Sequence, residues 1–392
     1  MSDFIIVFNA GSSSLKFSLF EANNLALSFH GQVDDIPDSP KLIIKDENNN
    51  EILCQEGFKA GHSSAISTLF NWIESHSDGM EIIAAGHRVV HGGRNLSTPE
   101  IIDEFILDEL KALIPLAPLH QPHNIAVIEA FTELHPDIKQ IACFDTAFHH
   151  TLSKEAEQFA LPRKLTEEGI IRYGFHGLSY QYIASQLPEY MDDKANGRVI
   201  VAHLGNGASM CAIKDFRSIA TTMGFTALDG LIMGTRCGNI APGVILYLLE
   251  EKGMSSKEIT NLLYKESGLK GISGISHDMR DLLQSDAPEA KQAIELFCYQ
   301  AAKQLAGLIT DLGGLDAIVF TAGVGEGSCV IRKNICDRLK WLNIELDETA
   351  NDANQSKVSS SNSKVAVFVI PTNEEKVIAE QTLSYSKMEK KR

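Results

Sequence analysis

Apolar and polar positions alternate at the start of the chain in a pattern typical of β-hairpins. The apolar run at residues 4–8 is followed by a polar turn, and residues 15–20 then alternate apolar and polar side chains, as a half-buried strand does. Residues 42–44 and 51–53 form two more apolar runs, separated by an acidic, asparagine-rich stretch. The pattern therefore predicts two hairpins early in the chain.

Apolar side chains three or four positions apart predict two helices further along. We expect Ser63 to cap the first of them. Its buried face would consist of Ile66, Leu69, Phe70 and Ile73. The second helix follows Asn124. Its buried face would consist of Ile125, Ile128, Phe131 and Leu134.

The second half of the chain contains one long helical pattern and one long polar stretch. The helix should open with Asp286 as its cap and Glu289 three residues on, and end at Gly313-Gly314. Residues 347–364 are rich in Asn, Ser and Asp. We expect them to form an exposed loop, because they carry turn formers and little apolar periodicity.

Four short apolar runs each end in a polar or glycine-rich segment. The runs cover residues 141–144, 199–202, 317–320 and 365–370. The segments that follow them begin at Asp145, His203, Thr321 and Pro371. Ligand sites of α/β proteins lie beyond the carboxyl ends of the strands. The repetition therefore predicts an α/β fold whose functional residues follow its strands.

Size and charge limit the classes of protein and partner. With 392 residues, the chain exceeds the roughly 250–300 residues that one hydrophobic core accommodates, so we expect two domains. The net charge of −16 disfavours nucleic acids and anionic membranes as partners. Seven scattered cysteines, no signal-peptide pattern and no apolar run of membrane-spanning length predict a cytoplasmic protein.

An acidic protein that binds an anion needs a local cationic site, and several segments could supply one. Lys16 follows a turn whose amides, from Gly11 to Ser14, could bind an anion, although an ordinary serine-rich hairpin tip has the same sequence. Arg88 and Arg236 lie in glycine-rich segments, where a guanidinium can approach a carboxylate or phosphate closely. Residues 203–207 and 323–327 are further candidate phosphate turns. The latter is a weak dinucleotide fingerprint, because Ser328 occupies its last glycine position.

Histidines and carboxylates complete the candidate chemistry. His87 and His91 are four residues apart, but the glycines around them disfavour a helix, so we do not predict a metal site from this pair. A structural role is the default for the other histidines in turns. Asp145 and Glu374 follow buried strands, and such carboxylates commonly bind or orient Mg²⁺ in phosphoryl-transfer sites.

Taken together, eight motifs in order along nearly the whole chain resemble the acetate/propionate kinase family, and within it the acetate kinases. This family belongs to the sugar kinase, actin and chaperone ATPase fold group. The motifs are Asn9-Ala-Gly-Ser-Ser-Ser-Leu-Lys16, Gly86-His-Arg-Val-Val-His-Gly-Gly93, Ala117-Pro-Leu-His120, Phe144-Asp-Thr-Ala-Phe-His149, Tyr173-Gly-Phe-His-Gly177, His203-Leu-Gly-Asn-Gly207, Met233-Gly-Thr-Arg236 and Pro371-Thr-Asn-Glu-Glu375.

The resemblance implies the reversible reaction of ATP with acetate to give ADP and acetyl phosphate by direct in-line transfer, with Mg²⁺, or Mn²⁺ as the alternative ion. The implied metal residues are Asn9 and Glu374. The implied catalytic residues are Asp145, His176 and Arg236. The implied substrate residues are Arg88, Val90, Leu119, His120 and Phe175. The implied nucleotide residues are Ser14, Lys16, His203, Leu204, Gly205, Asn206, Gly207, Asp278, Met279, Arg280, Gly323, Val324, Gly325, Glu326 and Gly327.

The resemblance also implies the architecture. We expect two RNase H-like domains, each a mixed sheet flanked by helices, with the active site in the cleft between them. The N-terminal domain would comprise residues 1–147 and 377–392, and residues 148–376 would form a nucleotide-binding and dimerisation domain. Family members form homodimers through the second domain, so we expect a homodimer here.

Acetate reaches the reaction as an anion and carries no proton for a base to remove. The reaction instead needs charge neutralisation and in-line positioning. We therefore hypothesise that Asp145 orients Mg²⁺ or its water. Two alternatives remain: a propionate or other short-chain acyl kinase, and a nucleotide-binding ATPase module without acyl kinase activity.

The chain departs from the usual family pattern at several positions. Ala220 replaces an aspartate, Ala227 a proline and Tyr180 a histidine; Asn239 and Ala241 replace two aspartates, and Gly327 an asparagine. Ala227 leaves room that proline would fill, which favours a larger acyl group, whereas Val90 favours acetate. The change at Gly327 leaves the nucleotide preference open.

Overall fold

A computed structural model describes residues 2–11, 13–76 and 80–388, in two compact units. The first unit is Met1–Ala147 with Asn373–Arg392, and the second is Phe148–Thr372. The strands are β1 Ser2–Ala10, β2 Leu15–Glu21, β3 Leu27–Asp34, β4 Lys41–Asp46, β5 Glu51–Gln55, β6 Met80–Val89, β7 Glu100–Ile101, β8 Lys139–Phe144, β9 Val199–Leu204, β10 Ala208–Lys214, β11 Arg217–Thr221, β12 Ala317–Thr321 and β13 Ala366–Val369.

Helices connect and cover these strands. They are α1 His62–His76, α2 Glu104–Ala112, α3 Gln121–Leu134, α4 Lys154–Glu157, α5 Arg163–Glu167, α6 Gly177–Met191, α7 Pro242–Glu250, α8 Ser256–Asn261, α9 Gly268–Ser273, α10 Met279–Gln284, α11 Pro288–Leu312, α12 Ala322–Gly327, α13 Cys329–Asp337, α14 Glu348–Asp352 and α15 Glu374–Ser386. No helix in the described ranges combines the length and apolar character of a membrane span.

The sheet of the first unit is mixed. Its strand order is β5-β4-β3-β2-β1-β6-β8-β7. The strands β1, β6 and β8 are parallel neighbours, whereas β1 to β5 pair antiparallel in succession. Helix α15 packs against β6, β8 and β1, so the chain returns to the first unit at its end. The parallel centre of the sheet brings three carboxyl strand ends together.

The sheet of the second unit is also mixed, in the order β11-β10-β9-β12-β13. The strands β9, β12 and β13 are parallel, and β10 and β11 extend the sheet antiparallel. Every residue of β9 and β12 is buried. The two mixed sheets with their helices confirm the predicted α/β class. The functional labels of the two units stay predictions.

The predicted hairpins and the four strands after residue 140 are confirmed. The sequence pattern missed β3, which joins the hairpins into one antiparallel meander. Three details of helices were wrong. Helix α1 begins at His62, so Ser63 lies in its first turn and does not cap it. Leu134, the last residue of α3, is 38% exposed. Helix α11 is capped by Ala287 rather than Asp286, because proline occupies its first turn.

Residues 347–364 are not a simple exposed loop. The side chain of Asp347 accepts a hydrogen bond from the Ala350 amide and so starts the short helix α14. Val358 is fully buried and its amide donates to the Val367 carbonyl. The turn-forming composition concealed both features, because Asp and Asn are also helix-capping residues.

Candidate active site

The first group of candidate residues lies at the carboxyl end of β1, β6 and β8. In the parallel pairs, Phe8 is opposite His87 and Val89 is opposite Phe144. The next residue after β8 is Asp145, whose amide donates to the Val89 carbonyl at 3.0 Å. This register places Arg88 of β6 between the end of β1 and the start of the segment after β8.

Arg88 is the centre of this group. Its Nη1 donates to Asn9 Oδ1 at 3.2 Å, and its Nε donates to Asp145 Oδ1 at 3.2 Å. Its Nη2 also contacts Asp145 Oδ2. Glu374 Oε2 lies 3.7 Å from Arg88 Nε. Three residues predicted for the site, from widely separated segments, therefore meet at the guanidinium of a fourth.

The electrostatics of this group reflect its burial. The Asp145 side chain is 1% exposed and that of Arg88 is 18% exposed. Burial acts to lower the pKa of Arg88, but the charges of Asp145 and Glu374 outweigh it and hold that pKa above its ordinary value. For Glu374, burial prevails over the opposing charges of Arg88 and Lys16, and its pKa is raised. Arg88 is thus a permanent cation beside a strongly desolvated carboxyl group.

Gly86 accounts for the position of Glu374 beside Arg88, because it lets the helix α15 pack closely against β6. A Cβ atom on Gly86 would lie 2.2 Å from Thr382 Oγ1 and 2.7 Å from Ile378 Cγ2, so only glycine allows α15 to lie this close to β6. Asn373 caps α15 by accepting the Lys376 amide. Glu374 therefore occupies the first turn of the helix, where a negative charge is favoured.

The predicted N-terminal anion turn is only partly described, because Ser12 lies outside the described residues. The Gly11 amide already donates to the Ser14 carbonyl at 2.8 Å. Lys16 is exposed on β2, directly opposite Asn9 in the β1–β2 pair. Lys16 therefore lies next to the Arg88 group, whereas Ser14 belongs to the turn itself.

Two of the remaining predicted substrate residues of the first unit, Val90 and His120, contact Asn124, which sequence reasoning missed. Val90 is 4% exposed, and its amide donates to Asn124 Oδ1 at 3.1 Å. The same Asn124 donates to the Ala10 carbonyl at 3.3 Å and so ties the ends of β1 and β6 together. Leu119 and His120 are half-buried and precede α3. The sequence pattern did not mark Asn124 as a functional candidate, because an asparagine just before a predicted helix is explained by the start of that helix.

The second group lies in the second unit, around the turn between β9 and β10. His203 and Leu204 end β9, and the Gly205 amide closes the turn by donating to the Gly207 carbonyl at 3.0 Å. The Asn206 carbonyl accepts the Gly234 amide at 3.0 Å. The turn is thereby attached to the segment that carries Arg236.

His176 and Arg236 meet at this turn. A Cβ atom placed on Gly207 would lie 3.2 Å from Arg236 Nη2 and 3.3 Å from His176 Nε2. The other end of the guanidinium, Nη1, donates to the Ala227 carbonyl at 2.6 Å. His176 stacks on His203 with ring centroids 4.2 Å apart. The structure therefore brings together His176, His203, Gly207 and Arg236.

His176 has an unusual backbone. Its φ of 58° and ψ of 25° lie in the left-handed region, which is uncommon for any residue other than glycine. Phe175, just before it, is 2% exposed, and its carbonyl accepts a hydrogen bond from His149 Nε2 at 3.0 Å. Burial lowers the pKa of His149 to about 4, so this supporting histidine is neutral near neutral pH.

Asp278, Met279 and Arg280 begin α10. Asp278 caps the helix by accepting the Arg280 amide, and Met279 is buried. The Arg280 side chain is 84% exposed and pairs with Asp278. This pairing lowers the pKa of Asp278 to about 2. The exposed guanidinium is accessible, but no contact in the described residues joins it to the His176 group.

The glycine-rich segment 323–327 belongs to a short helix, α12. Its Glu326 Oε1 accepts the Ala322 amide at 2.7 Å and the Thr372 amide at 3.1 Å. Glu326 therefore holds the start of its own helix and the segment after β13. The left-handed φ of 64° at Ala322 makes the sharp turn out of β12.

Arg332 is a further residue that sequence reasoning missed. It is fully buried and donates to the carbonyls of Gly325 and Glu326, at 2.9 and 2.8 Å. Its other nitrogens donate to Asn351 and Asn354. No glycine-rich or polar context distinguishes this arginine in the sequence, so no pattern could have found it.

Among residues 2–11, 13–76 and 80–388, no cluster of three or more His, Cys, Asp or Glu side chains has the geometry of a metal site. His87 lies in β6 and stacks on Phe8 at 5.4 Å. It is buried in the core of the first unit.

Known proteins match this chain over nearly its whole length. The sequence profile of the Acetokinase family matches residues 4–380. The acetate kinase of Rhodopseudomonas palustris strain TIE-1 is 51% identical over 389 residues, which cover 97% of each chain.

Solved structures show the same fold. The propionate kinase of Francisella tularensis superposes with a TM-score of 0.92 at 38% identity, over 98% of this chain and 100% of its own. The acetate kinase of Porphyromonas gingivalis superposes with a TM-score of 0.89 at 34% identity, over 98% and 99% of the two chains. This chain therefore belongs to the acetokinase family.

Proposed function

We propose that this protein is an acetate kinase that transfers the γ-phosphoryl group of ATP to acetate, reversibly and in line, to give acetyl phosphate and ADP. Its membership of a family of phosphotransferases with a carboxyl group as acceptor supports this activity. The observation that carries the proposal is the group of Asn9, Asp145 and Glu374 around the guanidinium of Arg88.

The Arg88 group suits a reaction between two anions. Acetate and the phosphoryl group of ATP repel each other, so the protein must supply positive charge where they meet. A guanidinium held by two neighbouring carboxylates stays charged and keeps one orientation. A pure ATPase needs no such clamp for a carboxylate, so the Arg88 group favours acyl transfer over an ATPase module.

The contacts of Asp145 define its part in the proposal. Both of its oxygens contact Arg88, and acetate has no proton to give up. We infer that Asp145 holds the Arg88 fork in position instead of acting as a base. The sequence-based hypothesis that Asp145 orients Mg²⁺ or its water is compatible with this geometry, since Glu374 lies against the same guanidinium.

The oxygen donors of the Arg88 group fit a magnesium ion. Mg²⁺ is commonly held in proteins by one or two carboxylates, with water and substrate phosphates completing the shell. Glu374, helped by the amide oxygen of Asn9, would hold it, and Mn²⁺ suits the same oxygen donors. A bound Mg²⁺ neutralises phosphate charge. Burial raises the pKa of Glu374, which fits a carboxyl group that becomes fully charged beside a cation.

The second unit has a cationic group of its own at the turn after β9. Arg236 and His176 flank Gly207, whose lack of a side chain leaves room for an anion next to both. We propose that they stabilise the transferring phosphoryl group, and that residues 203–207 and the start of α12 bind the nucleotide. Val90, Leu119 and Phe175 would enclose the acetate methyl.

An acyl hydroxamate assay tests the proposal. The protein should form acetohydroxamate from ATP, Mg²⁺, acetate and hydroxylamine. Arg88→Lys keeps the charge but loses the fork, and should lower kcat/KM for acetate about 100-fold. Arg94→Lys, at an exposed position of the following loop, is the matched control and should change little. ATP hydrolysis without any hydroxamate would favour the ATPase module and reject the proposal.

A short-chain acyl kinase with a preference for propionate is the second candidate. The Francisella tularensis structure is described as a propionate kinase, and Ala227 here leaves space where the family usually has proline. One methylene group changes selectivity by about 10- to 200-fold. Comparing kcat/KM for acetate, propionate and butyrate distinguishes the candidates, and a higher value for propionate would replace acetate as the substrate.

We also propose a cytoplasmic homodimer, with helix α7 of the second unit in the interface. This helix has no buried residue. Its exposed apolar side chains are Val244, Leu246, Tyr247 and Leu249, each 40–54% exposed. Such a continuous apolar surface is characteristic of an interface. The seven free cysteines suit a reducing compartment.

Light scattering after size-exclusion chromatography tests the dimer. Leu246→Glu places a charge in the apolar surface of α7 and should convert the dimer to monomer at micromolar concentration. Phe105→Glu is the control, because Phe105 is 69% exposed on α2 of the first unit. A Leu246→Glu protein that stays dimeric would remove α7 from the interface.

A further inference from the structure

The stacked pair His176 and His203 is anchored in the same way on both rings. The Nδ1 atom of His176 lies 2.8 Å from Ser209 Oγ, and that of His203 lies 2.8 Å from Ser179 Oγ. The Nε2 atoms are on the side of the glycine turn, 3.3 Å and 3.9 Å from Cβ atoms placed on Gly207 and Gly205. Two serine hydroxyls thus determine which nitrogen of each ring faces the turn.

The hydroxyl on the His176 side belongs to a longer chain of hydrogen bonds. The phenol oxygen of Tyr180 contacts Ser209 Oγ, and both residues are fully buried. The chain Tyr180–Ser209–His176 therefore links two buried hydroxyl groups to the half-buried ring of His176.

Three arrangements of these hydrogen bonds fit the distances. Tyr180 can donate to Ser209 while Ser209 donates to Nδ1 of His176; Nδ1–H can donate to Ser209 while Ser209 donates to Tyr180; or Tyr180 and Nδ1–H can both donate to Ser209. The first arrangement leaves the proton of the neutral ring on Nε2, and the other two leave a lone pair there. Only the first arrangement makes the neutral His176 ring a hydrogen-bond donor at Nε2, beside Arg236.

We propose that Tyr180 and Ser209 are positioning residues that set the tautomer of His176, so that its Nε2–H and the Arg236 guanidinium together donate to the transferring phosphoryl group. The inference rests on the proposed function. A lone pair on Nε2 would repel the phosphate oxygens, whereas an N–H group adds a donor without a change in protonation. The left-handed backbone of His176 has a conformational cost that is characteristic of functional positions.

Ser209→Ala removes the partner of Nδ1 and tests the proposal by kinetics. We expect kcat to fall about tenfold, with KM for ATP and acetate within twofold of the wild type, because one orienting hydrogen bond is lost. Tyr180→Phe keeps the serine and should lower kcat about threefold. Ser209→Thr restores a hydroxyl and should recover most of the rate. Ser185→Ala, on the same helix α6 with an exposed serine that donates to its own helix, is the control.

Nitrogen NMR shows which ring nitrogen of His176 carries the proton, independently of enzyme activity. Long-range ¹H–¹⁵N spectra of histidine-labelled protein, with His176 assigned from a His176→Gln variant, should show Nδ1 unprotonated and Nε2 protonated. Ser209→Ala should shift His176 toward a mixture of tautomers. If Ser209→Ala fails to fold by circular dichroism, Tyr180→Phe and the wild-type spectrum decide.

Two results would overturn the inference. One is a wild-type His176 with its proton on Nδ1, and the other is a folded Ser209→Ala protein with unchanged kcat and tautomer. Failure of the proposed function is a separate outcome, because a protein without hydroxamate activity can still show the expected wild-type tautomer. In that case the chain of hydrogen bonds stands and its link to phosphoryl transfer is rejected.

Discussion

Gly207 shows at the scale of a single residue how the candidate site depends on space. Its α-carbon faces both Arg236 Nη2 and His176 Nε2, and a Cβ atom would approach each within 3.2–3.3 Å. Such contacts are tight but involve the ends of side chains. A methyl group there should therefore displace the guanidinium of Arg236 and the imidazole of His176, with little strain on the main chain.

Gly207→Ala should accordingly reduce kcat about 10- to 100-fold, because displaced catalytic groups no longer have the productive geometry. It should lower Tm by less than about 3 °C, because the added methyl group meets only the ends of two side chains. Steady-state kinetics and differential scanning calorimetry measure the two effects. Gly307→Ala is the matched control, since a Cβ atom there meets nothing within 4 Å. Wild-type kinetics in Gly207→Ala would show that Gly207 does not adjoin the reacting groups.

At the scale of elements, the side chain of Arg332 joins the helices α12, α13 and α14. Arg332 of α13 donates to two carbonyls at the end of α12, and to Asn351 of α14. These carbonyls have no partner within a short helix, so they need an outside donor. Burial lowers the pKa of Arg332, and neutral oxygens satisfy its guanidinium instead of a carboxylate.

Arg332→Met should therefore destabilise the second unit by about 3 kcal/mol, because several buried carbonyl oxygens lose their donors. We also expect KM for ATP to rise more than KM for acetate, since α12 is proposed to contact the nucleotide. Lys333→Met on the same helix is the control. Lys333 is 46% exposed and pairs with surface carboxylates, which contributes at most about 1 kcal/mol. Equal stability of the two variants in urea titrations would contradict this account.

At the scale of the whole molecule, each unit contains a histidine that burial keeps neutral. Burial lowers the pKa of His87 in the first unit to about 3, and that of His149 in the second to about 4. Both rings have an ordinary pKa of 6.5 when the chain unfolds. Below that pH the unfolded chain binds protons that the folded units exclude, so stability falls as the pH falls from about 6.5 toward about 4.

Between pH 7.5 and pH 5, each of the two histidines should cost about 2 kcal/mol of unfolding free energy. His87→Phe keeps the aromatic packing on Phe8 and should reduce the loss in the first unit by about that amount. Urea titrations at the two pH values, with fluorescence of the buried Trp72 in a Trp341→Phe background, measure it. An equal loss in His87→Phe and wild type would mean that His87 is already protonated in the folded state or is not the group responsible.

Local sequence patterns predicted the elements with the clearest apolar periodicity. The strands β9 and β12 are uninterrupted apolar runs, and α11 ends at the left-handed Gly313 as its sequence indicated. The segment 347–364 was misread, because the same Asp and Asn residues favour both loops and helix caps. The pattern also gave no sign of β3, whose residues are half-buried except for Val33.

The sequence by itself determined the α/β class, the position of candidate residues after strands and the family, because these depend on short periodicities and on motifs in order. Only the tertiary structure decided that Asn9, Asp145 and Glu374 meet at Arg88 and that Arg332 clamps α12. Those contacts join residues far apart in the chain. They depend on the parallel register of β1, β6 and β8 and on the close packing of α15 at Gly86, which no local pattern contains.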